Sequence, residues 1–469
     1  MHECCKSACI QVVKAQREIG VNHVHGIVGT KGIFILISFI IIILIVDTSI
    51  VKVSAFLGGL ASPASSVTIF TAMALMFSLG QYLILSYVRT SNLEASTRDS
   101  KLLSGLYKLV ATTQYALIVI LGSLILQMVF TSSYSTLFLE VVIWISYTLA
   151  IGLLGFLSQR FLLWYKSNRN AVVLAYSLAM MVICVSAIFS LVYVTTQLTN
   201  SFSGPVVRPA LTPVANYSSA YNTFNTGYVI TSVIAFILTW IATVLLLHSY
   251  SRRLGRAKYW ILVSVPLVYF LSQFQFVLVD VFTSFRLSDP ITFGIVFTLF
   301  FNATIPVGGA LFGIAFWSVA RNINRNTAKQ YMMVSAYGMM LLFSSNQASG
   351  LTLIPYPPFG LVTVSFLGLA SFLVFVGIYS SAISVAQDST LRKSIRGFAM
   401  AETRLLDSIG TAQMGREIEK RIVGFTKKNQ GMMAKETGVE SSLSEEDIKQ
   451  YLEQVMHEVQ NQKARANND

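Results

Sequence analysis

Residues 32–50 read GIFILISFIIIILIVDTSI, and that stretch decides the fold class. It carries one charged side chain, Asp47, and matches the length of about 20 residues that a helix needs to cross roughly 30 Å of hydrocarbon. Nine further apolar stretches follow, at 67–87, 109–130, 137–157, 171–194, 228–247, 260–283, 293–317, 331–354 and 359–385. They are continuous rather than alternating, which excludes barrel strands, and an open sheet cannot satisfy its edges in lipid. The expected fold is therefore all-α, a polytopic helical membrane bundle of about ten transmembrane helices. Composition agrees: of 469 residues, 54% are hydrophobic and 12% charged, too few polar groups to clothe a water-soluble fold of this size.

Lysine and arginine set the expected orientation, because short cytoplasmic loops retain them. Lys31, Arg89, Arg98, Lys101, Arg160, Lys166, Arg169, Arg252, Arg253, Arg256, Lys258, Arg321, Arg325 and Lys329 fall before the first stretch and after every second one. The alternate connections hold Lys52, Arg208 and Arg286. Both termini are thus expected in the cytoplasm, at a cell membrane. The formal net charge of +13 belongs to this pattern, since residues 388–469 contain 13 basic and 13 acidic side chains and contribute nothing to the excess. Such a distribution points to anionic lipid headgroups and not to nucleic acid.

Residues 1–30 read as a cytoplasmic segment that stays attached, because Glu3 and Glu18 interrupt any secretory-signal pattern. His2, Cys4, Cys5, Cys9, His23 and His25 are soft donors, but their spacing matches no established metal site, so no metal and no cofactor is expected. Cys184 stands alone in the fifth stretch and packs as a small hydrophobe. Thr195–Gly227 is a polar loop rather than a domain, with a glycosylation sequon at Asn216, whereas the sequon at Asn302 lies inside an apolar stretch.

Polar groups that lipid would penalise mark where a membrane bundle does its work. Asp47, Glu140 and Asp280 fall at the ends of stretches and read as wet boundary charges; His248 reads as interfacial. Deeper, Gln273 and Asp280 share one helix face, and Gln275 lies near the depth of Asn302. Pro306, Gly308 and Gly309 predict a kink or break in the eighth stretch, and Ser344–Gly350, with Asn346 and Gln347, interrupts the ninth. Interrupted spans are how many transporters build a substrate site, so Gln273, Gln275, Asp280, Asn302, Asn346 and Gln347 are the candidate substrate-binding residues. Helix-to-helix hydrogen bonding, and close packing at the Gly309–Gly313 spacing, would leave the same trace. Echoes such as Ala257–Ser264 and Ala328–Ser335 fit duplicated hairpins, and a five-plus-five inverted repeat is compatible with the topology.

Residues 388–469 form a cytoplasmic helical tail after the transmembrane part at 31–387. Helical spacing of apolar positions runs from Ser389 to about Phe425, a loop is expected around Gly431–Ser442, and Ser444 with Asp447 starts a second helix. Its strings LLDSIGTAQM and ETGVESSLSEEDIKQYLEQVMHEV resemble the carboxyl ends of a multi-pass membrane protein family of ammonia-oxidising archaea. That resemblance implies an archaeal cytoplasmic membrane and supplies no functional residues. No paired carboxylates, histidine cluster or activated nucleophile meet at one depth, which argues against an enzyme and leaves no catalytic residue to name. Two functions remain open: a secondary transporter or permease, and a non-transporting scaffold or sensor acting through the tail. The tail is also the segment through which a second copy or a protein partner would bind.

Overall fold

A computed structural model describes residues 30–56, 63–94, 100–201, 206–207, 219–248, 255–272, 283–321, 326–346, 356–387 and 404–437. In chain order the helices are α1 (Thr30–Phe56), α2 (Pro63–Glu94), α3 (Ser100–Thr131), α4 (Thr136–Ser167), α5 (Ala171–Ser201) and α6 (Ser219–His248). They continue as α7 (Arg256–Ser272), α8 (Thr283–Ser288), α9 (Pro290–Arg321), α10 (Asn326–Ser345), α11 (Leu361–Ser365), α12 (Leu367–Gln387) and α13 (Arg404–Thr437). A two-residue ribbon, β1 (Ser133–Tyr134) antiparallel to β2 (Val206–Val207), ties the α3–α4 turn to the α5–α6 connection. The architecture is an all-α bundle, and its apolar helices fit an integral membrane protein in a lipid bilayer.

The count of ten spans is corrected to seven: among the described residues, Gly32–Ile50, Ser65–Arg89, Leu103–Thr131, Thr136–Ser167, Ala171–Thr199, Thr223–His248 and Leu361–Ala386 are long and apolar enough to cross a membrane. α7 opens on Arg256 and Lys258. α10 dilutes its apolar content with Lys329, Gln330, Tyr331, Ser335 and Tyr337.

Burial separates the helices more sharply than hydropathy does. In six of the seven spans, 33–50% of the apolar window is buried; in Leu361–Ala386 it is 100%. α10 is likewise buried on every side from Tyr331 to Ser345. These two helices are the axis of the bundle, and small residues let them touch. A Cβ at Gly338 would lie 2.5 Å from the Val374 nitrogen, and one at Gly377 would lie 2.5 Å from the Ser335 nitrogen. On the opposite side α9 closes against α10, where Phe343 fills the Cβ space of Gly309 and Met340 that of Gly313. α4 and α5 are joined by a reciprocal pair, each of Ser158 and Ser177 donating its hydroxyl to the other's carbonyl at 3.0 Å. A helix apolar or small on all faces belongs inside, and α10 and α12 obey that rule.

Local chemistry accounts for several termini. Asn170 caps α5, its Oδ1 accepting the Val172 N–H at 2.9 Å. Asp289 does the same for α9, accepting from the Thr292 N–H at 3.1 Å, with Pro290 in the first helical position where its missing donor costs nothing. Of the kink or break expected at Pro306, Gly308 and Gly309, the break does not occur, since α9 runs unbroken from Pro290 to Arg321. Those glycines serve packing instead: Phe236 lies over Gly308, stacked on Phe270 at 4.0 Å. The predicted loop at Gly431 is also corrected, because α13 continues through it to Thr437. A glycine costs a helix only about 1 kcal/mol, which the rest of a 34-residue helix offsets.

α13 docks on the ends of α4, α5 and α12. Ile409 and Ala412 are buried, Gly410 lies against Val385, and Gln413 accepts the Trp164 indole N–H at 3.3 Å. This end of the bundle also carries Arg160, Lys166, His248 and Arg321, and is called the basic end below. His248 is exposed there and meets Tyr259 edge-on at 6.4 Å, as an interfacial residue does. Cys184 packs against Gly155 as a small hydrophobe, its thiol directed at the Ile151 carbonyl.

Candidate functional site

At the far end from Arg160, α1, α10 and α11 converge. Asp47 of α1 was expected at a wet boundary; it is fully buried. The reason lies 316 residues along the chain. α11 begins at Gly360, whose φ of 90° is a left-handed conformation natural to glycine and whose missing side chain can cap nothing. The first turn of α11 therefore needs an acceptor from elsewhere. Asp47 Oδ2 supplies it, accepting the Thr363 N–H at 3.0 Å and the Thr363 hydroxyl at 2.7 Å. The Thr363 hydroxyl also reaches the Leu44 carbonyl at 3.4 Å, so one side chain bridges the two helices.

A carboxylate is suited to this position, because a helix N-terminus carries the equivalent of roughly half a positive charge. The Gly360 backbone also lies at the carboxylate, and no lysine or arginine pairs with it among the described residues. Oδ1 makes no hydrogen bond among the described residues. An ionisable group in hydrocarbon costs at least about 2.5–3.5 kcal/mol on insertion scales. One of its two oxygens is thus left without a hydrogen bond among the described residues, at a cost the fold bears.

Close to this joint α10 ends on Ser344 and Ser345, whose hydroxyls turn back onto Met340 and Leu341 at 2.8 and 2.7 Å. Asn346 follows, with its Oδ1 buried and without a hydrogen bond among the described residues. Aromatic rings close the end: Phe359 meets Phe70 edge-on at 5.9 Å, and Tyr356 stacks on Tyr134 at 6.0 Å while donating to the Met128 carbonyl at 3.2 Å. α11 ends at Ser365 and α12 starts at Leu367, with Phe366 between them in a right-handed helical conformation and packed on Phe77 at 4.8 Å. A second buried polar pair joins α2 to α3. Gln81 donates to the Gln114 carbonyl at 3.5 Å, and the Gln114 amide makes no hydrogen bond among the described residues.

Of the residues expected to bind substrate, Asn346 alone has a described side chain, and it lies at the α10 terminus. Gln273, Gln275, Asp280 and Gln347 lie outside the described residues, as do the cysteines and histidines of the first 29 residues, Asn216 and the second tail helix. Asn302 belongs to α9, but its side chain lies outside them too. Pro306, Gly308 and Gly309 are buried in helix-to-helix packing. Asp47, Gln81, Gln114 and Thr363 were missed as a group. A glycine-headed helix with no capping side chain of its own, after Pro357-Pro358-Phe359, was the signal that an acceptor must arrive from another helix. Among the described residues no three His, Cys, Asp or Glu side chains gather as a metal site. No family model, curated protein or solved structure matches this chain.

Proposed function

We propose that this chain is a secondary transporter or permease, set in a cell membrane with both termini cytoplasmic, in which Asp47 is the ion-responsive group. One observation supports this above the others: a fully buried carboxylate, half-satisfied, caps the first turn of α11. Its role follows from the charge on the carboxylate. Ionised, it attracts the N-terminus of α11 and holds it to α1; on taking up a proton or a cation it loses that attraction, worth about 0.3–2 kcal/mol, and α11 is free to tip about Phe366. The tail resemblance supports an archaeal membrane as the setting.

The test is charge movement in proteoliposomes of the full chain, read as currents on a solid-supported membrane during jumps of pH, sodium and panels of amino acids, sugars and anions. Wild type should give a current in at least one jump, and Asp47→Asn, which keeps an acceptor oxygen for Thr363, should abolish it while melting above Asp47→Ala. Silence of the wild type in every jump, or an undiminished current in Asp47→Asn, rejects the proposal. The docked α13 favours the second function, a scaffold or sensor, since it brings the tail into register with the bundle. Deletion of residues 388–469 separates the two: a transporter keeps its currents, and a scaffold loses its partner.

A further inference from the structure

On the flank of the bundle, away from Asp47, a groove of about 700 Å³ opens between α3 and α4. Leu106 and Leu109 line it from α3, and Trp144, Leu149, Leu153 and Phe156 from α4. On the α3 wall Thr113 makes no polar demand on an occupant, since its hydroxyl turns onto the Leu109 carbonyl at 2.9 Å. The volume lies within the roughly 300–1,000 Å³ typical of ligand sites. From Trp144 to Phe156 the groove follows α4 for about 18 Å, close to the depth of one leaflet of a hydrocarbon core roughly 30 Å thick.

What distinguishes this groove from ordinary lipid-facing surface is the cation at its end. Arg160 stands one turn beyond Phe156 and lays its guanidinium 4.8 Å over that ring and 5.7 Å over Tyr379. Its Nε is buried and has no hydrogen-bond partner among the described residues. Arg416 approaches from α13: desolvation and then the Arg160 charge push its pKa below the usual arginine range, with Glu419 offsetting part of that. The Trp164–Gln413 hydrogen bond fixes the geometry, since Arg160 lies one turn before Trp164 on α4 and Arg416 one turn after Gln413 on α13. Both guanidinium groups therefore belong to the basic end of α4, about 10 Å before the helix finishes, where a bilayer places its headgroups.

We propose that the α3–α4 groove binds an anionic phospholipid, its phosphate held by Arg160 and Arg416 and one acyl chain laid along Phe156, Leu149 and Trp144. Charge complementarity selects the occupant: a phosphate satisfies the open Arg160 donor and relieves the repulsion between the arginines, as no neutral chain and no apolar protein helix does. The binding also joins tail to bundle, because its two cationic ligands come from α13 and α4.

The full chain, purified in detergent and stripped of lipid, is given dioleoyl phosphatidylglycerol or dioleoyl phosphatidylcholine, and bound lipid is counted by native mass spectrometry beside the melting temperature. Wild type should retain the anionic lipid roughly tenfold over the zwitterionic one, as expected for a charge-assisted contact. Arg160→Gln should bring the two to parity. Gly152→Leu provides an independent variant: Gly152 lines the groove, and a Cβ there meets nothing within 4 Å, so leucine fills the groove without disturbing its walls. It should lower retention of the anionic lipid and leave the lipid-free melting temperature unchanged. Equal retention of both lipids by wild type overturns the proposal, as does anionic lipid retained by Arg160→Gln or Gly152→Leu. So does a melting shift reproduced by inorganic phosphate alone, which would leave the groove without a role, or a dimer that Gly152→Leu dissociates with no change in bound lipid.

Discussion

Replacing Gly377 by alanine adds one methyl group where α12 crosses α10, and the added carbon has nowhere to go. It would lie 2.5 Å from the Ser335 nitrogen and 2.7 Å from the Tyr331 oxygen, both backbone atoms of a helix that is itself enclosed. Side chains relieve such contacts by changing rotamer; backbone cannot, so α10 and α12 must move apart and lose contact along their length. Overpacking of this kind costs about 1–3 kcal/mol, and the enclosure of both helices puts Gly377→Ala at the upper end. The control is Gly122→Ala, where a Cβ meets nothing within 4 Å and alanine gains about 0.5–1 kcal/mol of helix propensity. The two identical chemical changes should therefore differ by roughly 3 kcal/mol in opposite directions. Intrinsic tryptophan fluorescence during heating in one detergent reads this difference, with Gly377→Ala melting several degrees below wild type and Gly122→Ala at or above it. If the two variants melt together, the close crossing of α10 and α12 is wrong.

The Asp47 cap predicts a graded series. Asp47→Ala leaves the Thr363 N–H buried without an acceptor and should cost about 1–3 kcal/mol, whereas Asp47→Asn should cost less; a melting order with Ala at or above Asn removes Asp47 from that joint. At the other end, Trp164→Phe deletes the indole donor to Gln413, so trypsin should cut within α13 faster than in wild type, and an unchanged cleavage rate would show that the tail does not depend on this contact.

Six of the seven spans were legible because their side chains see lipid on one face, and continuous apolar residues serve there whatever they touch. α10 was harder to read for the opposite reason. Its neighbours are other helices, which tolerate Lys329, Ser335 and Tyr337 where lipid would not, and hydropathy does not distinguish one apolar surrounding from another. The serines and glycines at 335, 338, 371, 377 and 381 were the available sign of close helix contact. Pro306 misled because the rule for proline is local, while α9 is held along its length by Phe236, Phe343 and Met340. Asp47 was placed correctly along its helix and wrongly in its surroundings, since its partner lies at Thr363 and no periodicity links positions so far apart.

The enclosed helix Leu361–Ala386 is also the last of the seven described spans in chain order. The six described spans before it are made first and hold open a space whose filler has not been made. Until it arrives, Phe77 and Phe156, which pack on Phe366 and Phe375 in the finished bundle, lack those neighbours. Assembly is therefore completed from the inside, and a chain that stops short of Leu361 lacks the axis around which the rest is arranged.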